Sequence, residues 1–172
     1  MTGERASDKR PIDVPAAIAR LCHALAAPGQ PAVTFEVLDT ICAESIGHRL
    51  FTVLAWRRGS GDVERVYTSR PSEYPLAGRK PMGPTAWGSH VLKRGLAWRG
   101  SAAEDIRWAF PDHALILGLG CESCLNAPVR LDGDVLGVVS VLHGAGWYHE
   151  ADLDALEALS PLLAAPLLLA AR

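Results

Sequence analysis

The sequence predicts an α+β fold, with a central, mainly antiparallel sheet and helices packed on it. Three observations lead there. Two pairs of β-rich segments are joined by short polar turns, Gly59-Ser60-Gly61-Asp62 and Asp132-Gly133, and so read as hairpins. No succession of strand–helix–strand units asks for a parallel sheet. Apolar residues recur at helical spacing near both ends of the chain. The 172 residues (18.4 kDa) fit one domain, divided into an N-terminal tail and helix over 1–30 and the main domain over 31–172. Hydrophobic residues at 49% and charged residues at 21% exclude a wholly disordered chain. A domain of this size buries roughly 70% of its extended surface and needs no disulfide staples.

Residues 1–11 read as a polar tail. Asp13 to Ala27 predicts a helix with Ile18, Leu21, Cys22 and Leu25 on one face, stopped by Pro28-Gly29. A second helix covers Ala32 to Ile46, with Phe35, Leu38, Ile41, Cys42 and Ser45 together and Gly47 at its C-cap. Cys22 and Cys42 are expected as packing residues on these helices. Leu50–Trp56 and Val63–Thr68 form the first hairpin. The Pro/Gly-rich stretch Arg70–Pro84 is too long for a simple connector, and long ordered loops tend to carry function. Thr85–Arg94 predicts a short helix between Pro84 and Gly95. A brief strand at Leu96–Arg99 and a helical turn at Ala102–Ala109 follow. Cys124–Arg130 and Val135–Leu142 form the second hairpin, whose Asp132-Gly133 suits a type I′ turn. The last helix starts near Glu150 and carries Leu153, Leu156, Leu159, Leu163 and Leu167 inward, with breaks expected at Pro161 and Pro166. The order is α-α-β-β-α-β-α-β-β-α.

A net charge of −2 and a pI near 6.3 provide no basic field for phosphate backbones, so nucleic acid is excluded as the main partner. The polar start lacks the apolar core of a signal peptide. The longest apolar run, Pro161–Ala171, is too short to span a bilayer. Four Cys are too few for a disulfide scaffold. A cytoplasmic chain with reduced thiols and no membrane association is the expectation.

The segment Gly120-Cys121-Glu122-Ser123-Cys124 through Pro128 to the apolar-Gly-apolar strand around Gly137 resembles the C-terminal half of a GAF domain. Tyr148-His149-Glu150-Ala151-Asp152-Leu153 resembles the start of that family's last helix, and Thr85–Ala97 its pocket-side helix and following strand. The resemblance covers about residues 31–170. It implies a GAF-like fold, with a ligand pocket between the sheet and the segments from Arg70 to Gly120. It also implies a dimer interface at the first and last helices.

Each chemical constellation has two readings. Cys121-Glu122-Ser123-Cys124 is a single C-x-x-C, and a structural zinc site needs four ligands. Buried thiols at those positions are otherwise small hydrophobes, expected reduced and without metal. One GAF subfamily reduces free methionine sulfoxide with cysteines. Its catalytic Cys falls near Ile116 or Leu117 in this register, not at Cys121. Trp87, His90, Val91 and Arg94 share a helix face, either as packing on the sheet or as a pocket wall with His90 as its polar contact. Arg107-Trp108-Ala109-Phe110-Pro111-Asp112-His113 gathers a cation, two aromatics, a carboxylate and an imidazole. It lines a pocket, or else it packs Trp108 and Phe110 on the sheet while Asp112 makes an Asx turn. Arg79 and Lys80 either anchor an anionic ligand or form a solvated basic turn.

The leading expectation is a small-molecule-binding domain acting as a sensor or regulatory subunit, with no cofactor specified. Its pocket would be lined by Trp87, His90, Trp108, Asp112, His113 and Cys121, with Arg79 or Arg107 at the mouth. The alternative is an enzyme using His90, Asp112 and His113 for acid–base or hydrolytic chemistry on a small polar metabolite. With no kinase, helix-turn-helix or cyclase signature visible, output would pass through a separate effector protein. A homodimer is expected, because Leu159, Leu162, Leu163, Leu167, Leu168 and Leu169 exceed what one face buries.

Overall fold

The computed structural model describes residues 9–171; most of the polar tail read at 1–11 lies outside the described residues. Six strands form one sheet: β1 (Leu50–Arg57), β2 (Asp62–Thr68), β3 (Ala77–Pro81), β4 (Trp98–Gly100), β5 (Ser123–Leu131) and β6 (Asp134–His143). Their order is β3-β2-β1-β6-β5-β4, and every neighbouring pair is antiparallel. The expected α+β architecture holds. The long stretch Arg70–Pro84 is not all loop, because its Ala77–Pro81 adds edge strand β3. Ala-Gly-Arg-Lys-Pro contains no β-former, so pairing with β2 rather than propensity makes this strand. Pro81 is tolerated there because an edge position needs no amide on its outer side.

The helices α1 (Val14–Ala26) and α2 (Ala32–Glu44) pack with α5 (Glu150–Leu159) and α6 (Ala164–Ala170) in the core of one sheet face. Asp13 caps α1, its side chain accepting the Ala16 amide at 3.0 Å. The buried stripe of α1 is Ala17, Leu21 and Ala24. Cys22, expected as a packing residue, is exposed, because the two small alanines turn the neighbouring flank inward. Ile18 is exposed for the same reason. Cys42 is fully buried on α2, as expected.

Pro161 breaks the last helix, and a 3-10 turn over Ser160–Leu163 links α5 to α6. By length and composition Glu150–Ala170 passes for a membrane span. Its Leu156, Leu159, Leu163 and Leu167 are instead buried against the sheet. Burial of each such side chain contributes about 1.5–3 kcal/mol. Leu168 and Leu169 are exposed at the end of α6. Asp132 and Gly133 at the β5–β6 turn have φ of 51° and 78°, both in the left-handed region a type I′ turn requires.

The opposite sheet face carries no long helix. It is covered by a helical segment whose Gly88–Lys93 is π-helical and by the short helices α3 (Ala103–Ala109) and α4 (His113–Gly118), with β3 at its edge. Helix α4 was not foreseen; its six residues follow directly on the Pro111 turn.

Candidate functional site

The register of the sheet places three polar side chains in one row. Thr52 of β1 pairs with Ser140 of β6, and Ser140 pairs with Asn126 of β5. Directly paired residues in an antiparallel ladder share a face. All three are buried. On one side of the row lie Leu50, Leu142 and Cys124, in an apolar cluster with Ile106, Ile116 and Cys121. On the other lie Leu54 and Val138, in a second cluster with Val63, Trp87 and Leu92. A polar row therefore divides two apolar patches on the face that lacks the large helices.

The row is bonded at one end and open at the other. Trp87 Nε1 donates to Asn126 Oδ1 at 2.9 Å, and Asn126 Nδ2 donates to Ser140 Oγ at 2.7 Å. Because Ser140 accepts that bond, its own O–H remains available to donate. Thr52 and Ser140 line a cavity of about 300 Å³. Leu54 and Val63 extend its floor, Met82, Trp87 and Phe110 wall it, and Ala77, Gly78 and Lys80 of β3 edge it. The Trp87 and Phe110 rings are tilted against each other with centroids 5.8 Å apart. The volume sits at the small end of the range for ligand pockets, roughly 300–1,000 Å³.

A charged latch closes one end. Asp112 Oδ2 accepts from the Tyr74 hydroxyl at 2.7 Å and from Arg65 Nη2 at 3.3 Å. The Arg65 guanidinium lies 3.5 Å from the Tyr74 ring centroid, a cation–π contact. Burial and the Asp112 charge push the Tyr74 phenol well above its ordinary pKa, with Arg65 opposing, so it stays a hydrogen-bond donor. The latch ties β2 and the segment before β3 to the α3–α4 turn.

Of the eight residues expected around the site, Trp87 and Asp112 line the cavity. The others do not join them. His90 is half-buried, with Nε2 3.2 Å from the Ala97 carbonyl oxygen, to which it donates. The π-helical winding after Trp87 carries it off the cavity wall. Trp108 is 48% exposed and rests on Trp98 with centroids 5.3 Å apart. Arg107 is exposed and pairs with Glu104 one turn earlier on α3 at 3.2 Å. Arg79 projects outward from β3, 3.5 Å from Glu64, while its neighbour Lys80 alternates onto the cavity side. His113 opens α4 and lies away from the cavity lining. The Asx turn considered at Asp112 does not form, since its carboxylate serves the latch instead. Cys121 is fully buried behind the site beside Tyr74. Burial pushes its thiol up to about 11, with Arg49 and Arg70 opposing. Cys124 is raised as well, again chiefly by burial. Among the described residues no group of three or more His, Cys, Asp or Glu side chains could hold a metal ion.

Thr52, Ser140, Asn126, Arg65 and Tyr74 were not expected as site residues, while Phe110 belongs to the Arg107–His113 segment read as a pocket lining. One signal was present for the first three: a polar residue at the centre of each of three otherwise apolar strands. Arg65 and Tyr74 had none, because a β-bulge between Val53/Leu54 and its partners sets which face Arg65 takes.

An antiparallel six-stranded sheet, with a helical layer on one face and a segment-roofed cavity on the other, is the architecture the C-terminal motifs implied. The GAF domain family matches this sequence over residues 36–167, and the chain belongs to that family. No curated protein matches it. Among solved structures it is similar to the GAF domain of a phosphoenolpyruvate-protein phosphotransferase from Coxiella burnetii. That match has a TM-score of 0.71 and 14% identity, over 98% of this chain and 97% of that one. It is similar to a free methionine-R-sulfoxide reductase from Neisseria meningitidis in complex with its substrate, with a TM-score of 0.67 and 16% identity over 97% and 92%. It is also similar to the phycocyanobilin-bound GAF domain of a cyanobacterial phytochrome, with a TM-score of 0.67 and 14% identity over 89% and 92%.

Proposed function

We propose that this GAF domain is a binding module whose cavity takes a small, flat, polar organic molecule, and that it acts as a sensor or regulatory subunit. The observation that carries the reading is the pair of hydroxyls, Thr52 and Ser140, set between apolar patches on the floor of the cavity. Asn126 already bonds the Ser140 oxygen, so the Ser140 O–H is free to donate, and beside the Thr52 hydroxyl it favours an occupant with an acceptor at that depth. Trp87 and Phe110 offer aromatic walls for a flat body, and the Lys80 ammonium suits an anionic edge. One similar structure is a phycocyanobilin-bound GAF domain, which agrees with a binding function.

The enzymatic alternative draws on the similar reductase. Against it, among the described residues no thiol or imidazole lines this cavity. Binding is therefore preferred over catalysis. Output through a separate effector, or through a second copy meeting at Ile18, Leu168 and Leu169, is part of the same proposal.

Native mass spectrometry of the gently purified chain tests it. The expected spectrum holds a small-molecule adduct in the unaltered protein and none in Ser140→Leu, whose larger side chain fills the floor. An adduct that persists in a folded Ser140→Leu protein contradicts the proposed site.

A further inference from the structure

A second cleft, of about 560 Å³, lies beyond the Val63–Leu92 cluster from the first cavity. Three segments build it. The end of β1 and its turn supply Trp56, Arg58 and Gly61. The end of the π-helical segment supplies Leu92, Lys93, Arg94 and Gly95, and the β5–β6 hairpin supplies Arg130, Gly133 and Val135. Trp87 at the start of the π-helical region lines the first cavity and Leu92–Gly95 at its end line the second, so the two share no lining residue.

The charge balance of this cleft is unlike that of the whole molecule. Four cations line it, Arg58, Lys93, Arg94 and Arg130, and among the described residues no carboxylate does. Two of the four are neutralised from outside: Arg58 pairs with Asp134, and Arg130 with Glu157 at 3.0 Å. Among the described residues no ion pair is found for Lys93 or Arg94. Four cations less two carboxylates leave the cleft at +2, on a chain whose net charge is −2. Like charges held together around a concave surface repel one another, and an anion seated among them relieves that repulsion.

The donor set and the floor narrow the anion. The two cations without an ion pair are an ammonium, Lys93, and a guanidinium, Arg94, whose planar fork matches the paired oxygens of a phosphate; the paired Arg58 and Arg130 flank them. Gly61 and Gly133 have φ of 73° and 78°, conformations suited to glycine, and nothing lies within 4 Å of where a Cβ would stand, so no side chain of theirs closes the cleft. Beneath the charges, Trp56, Leu92 and Val135 give an apolar floor for an organic portion. A dianion beside a compact organic group fits both layers.

We propose that this cleft is a second ligand site, which takes a small phosphate-bearing molecule. Its occupant is separate from that of the first cavity, and the site stands or falls independently of the reading given there.

Calorimetric titration of the full chain at physiological ionic strength, with inorganic phosphate, adenosine 5′-monophosphate and adenosine as probes, tests the proposal. The phosphate-bearing probes are expected to bind at least tenfold more tightly than adenosine. Lys93→Gln/Arg94→Gln, both exposed positions, is expected to lose at least tenfold of that affinity with an unchanged melting temperature. Arg20→Gln, on exposed α1, is expected to change it less than twofold. Amide resonances of Gly95 and Gly133 should move on titration, and those of Thr52 and Ser140 should not. A monophosphate that binds more tightly than inorganic phosphate supports an organic ligand, and equal affinity supports the free ion. Saturation of neither below about 10 mM overturns the proposal. So does an equal loss in Arg20→Gln, or a shift map centred on Thr52 and Ser140. An oligoglutamate peptide that binds more tightly than either phosphate probe also overturns it.

Discussion

Gly137→Ala is expected to destabilise the domain by about 3 kcal/mol or more, well beyond a typical surface substitution. Gly137 lies in the middle of β6, paired with Ala55 on one side and Val129 on the other. A Cβ there would stand 2.2 Å from the Leu54 carbonyl oxygen and 2.9 Å from Leu167 Cδ1. The first neighbour is backbone inside a paired strand and cannot rotate away. The second belongs to α6, which packs on the sheet at this point. Relief therefore requires the β1–β6 pairing or the C-terminal helix to shift. For a chain of this length the melting temperature should fall by about 6–12 °C. Gly59→Ala is the control, because nothing lies within 4 Å of the added carbon and the backbone is not left-handed. It should change stability by less than about 0.5 kcal/mol. Equal melting of the two variants would show that the sheet and α6 are not held this closely.

Asn126→Leu is expected to cost about 2–4 kcal/mol, although leucine is the more apolar residue. The substitution leaves the Trp87 indole N–H buried without an acceptor and removes the donor that orients Ser140. The effect should be coupled to Trp87. In a Trp87→Phe background there is no indole N–H to orphan, so the same change should cost about 1–2 kcal/mol less. A double-mutant cycle by chemical denaturation measures that difference. Strict additivity would mean that the Trp87–Asn126 bond does not organise the cavity wall. Because Trp87 forms part of that wall, Asn126→Leu should also lose any co-purified ligand.

The contrast between these two positions and the expected site shows what kind of information a sequence carries. Period and turn chemistry are local, and they located both hairpins, the two N-terminal helices and the break at Pro161. The family motifs around Pro128 and Gly137 are local too. The cavity is not. Its floor depends on which residue of β1 stands opposite which residue of β6, and that register is set by pairing across the whole sheet. Asn126 and Ser140 face each other within one hairpin, but Thr52 lies far from both in sequence and joins them only through the β1–β6 register. Crowding of aromatic and imidazole residues was a weaker guide. It located Trp87 and Asp112, but His90, Trp108 and His113 share those segments and face elsewhere. Strand β3 was hidden because a sheet edge imposes the extended conformation on residues with no preference for it.

The central claim is that an occupant sits on the polar row between the two apolar patches. Electron density for the chain crystallised as gently purified, without denaturation, tests this most directly. The expected map shows a small molecule in the cavity, with one polar atom within hydrogen-bond distance of both the Thr52 and Ser140 hydroxyls and a flat body beside Trp87 and Phe110. A map in which the molecule carried by the protein lies elsewhere, with the Thr52–Ser140 floor covered by collapsed side chains, would contradict it.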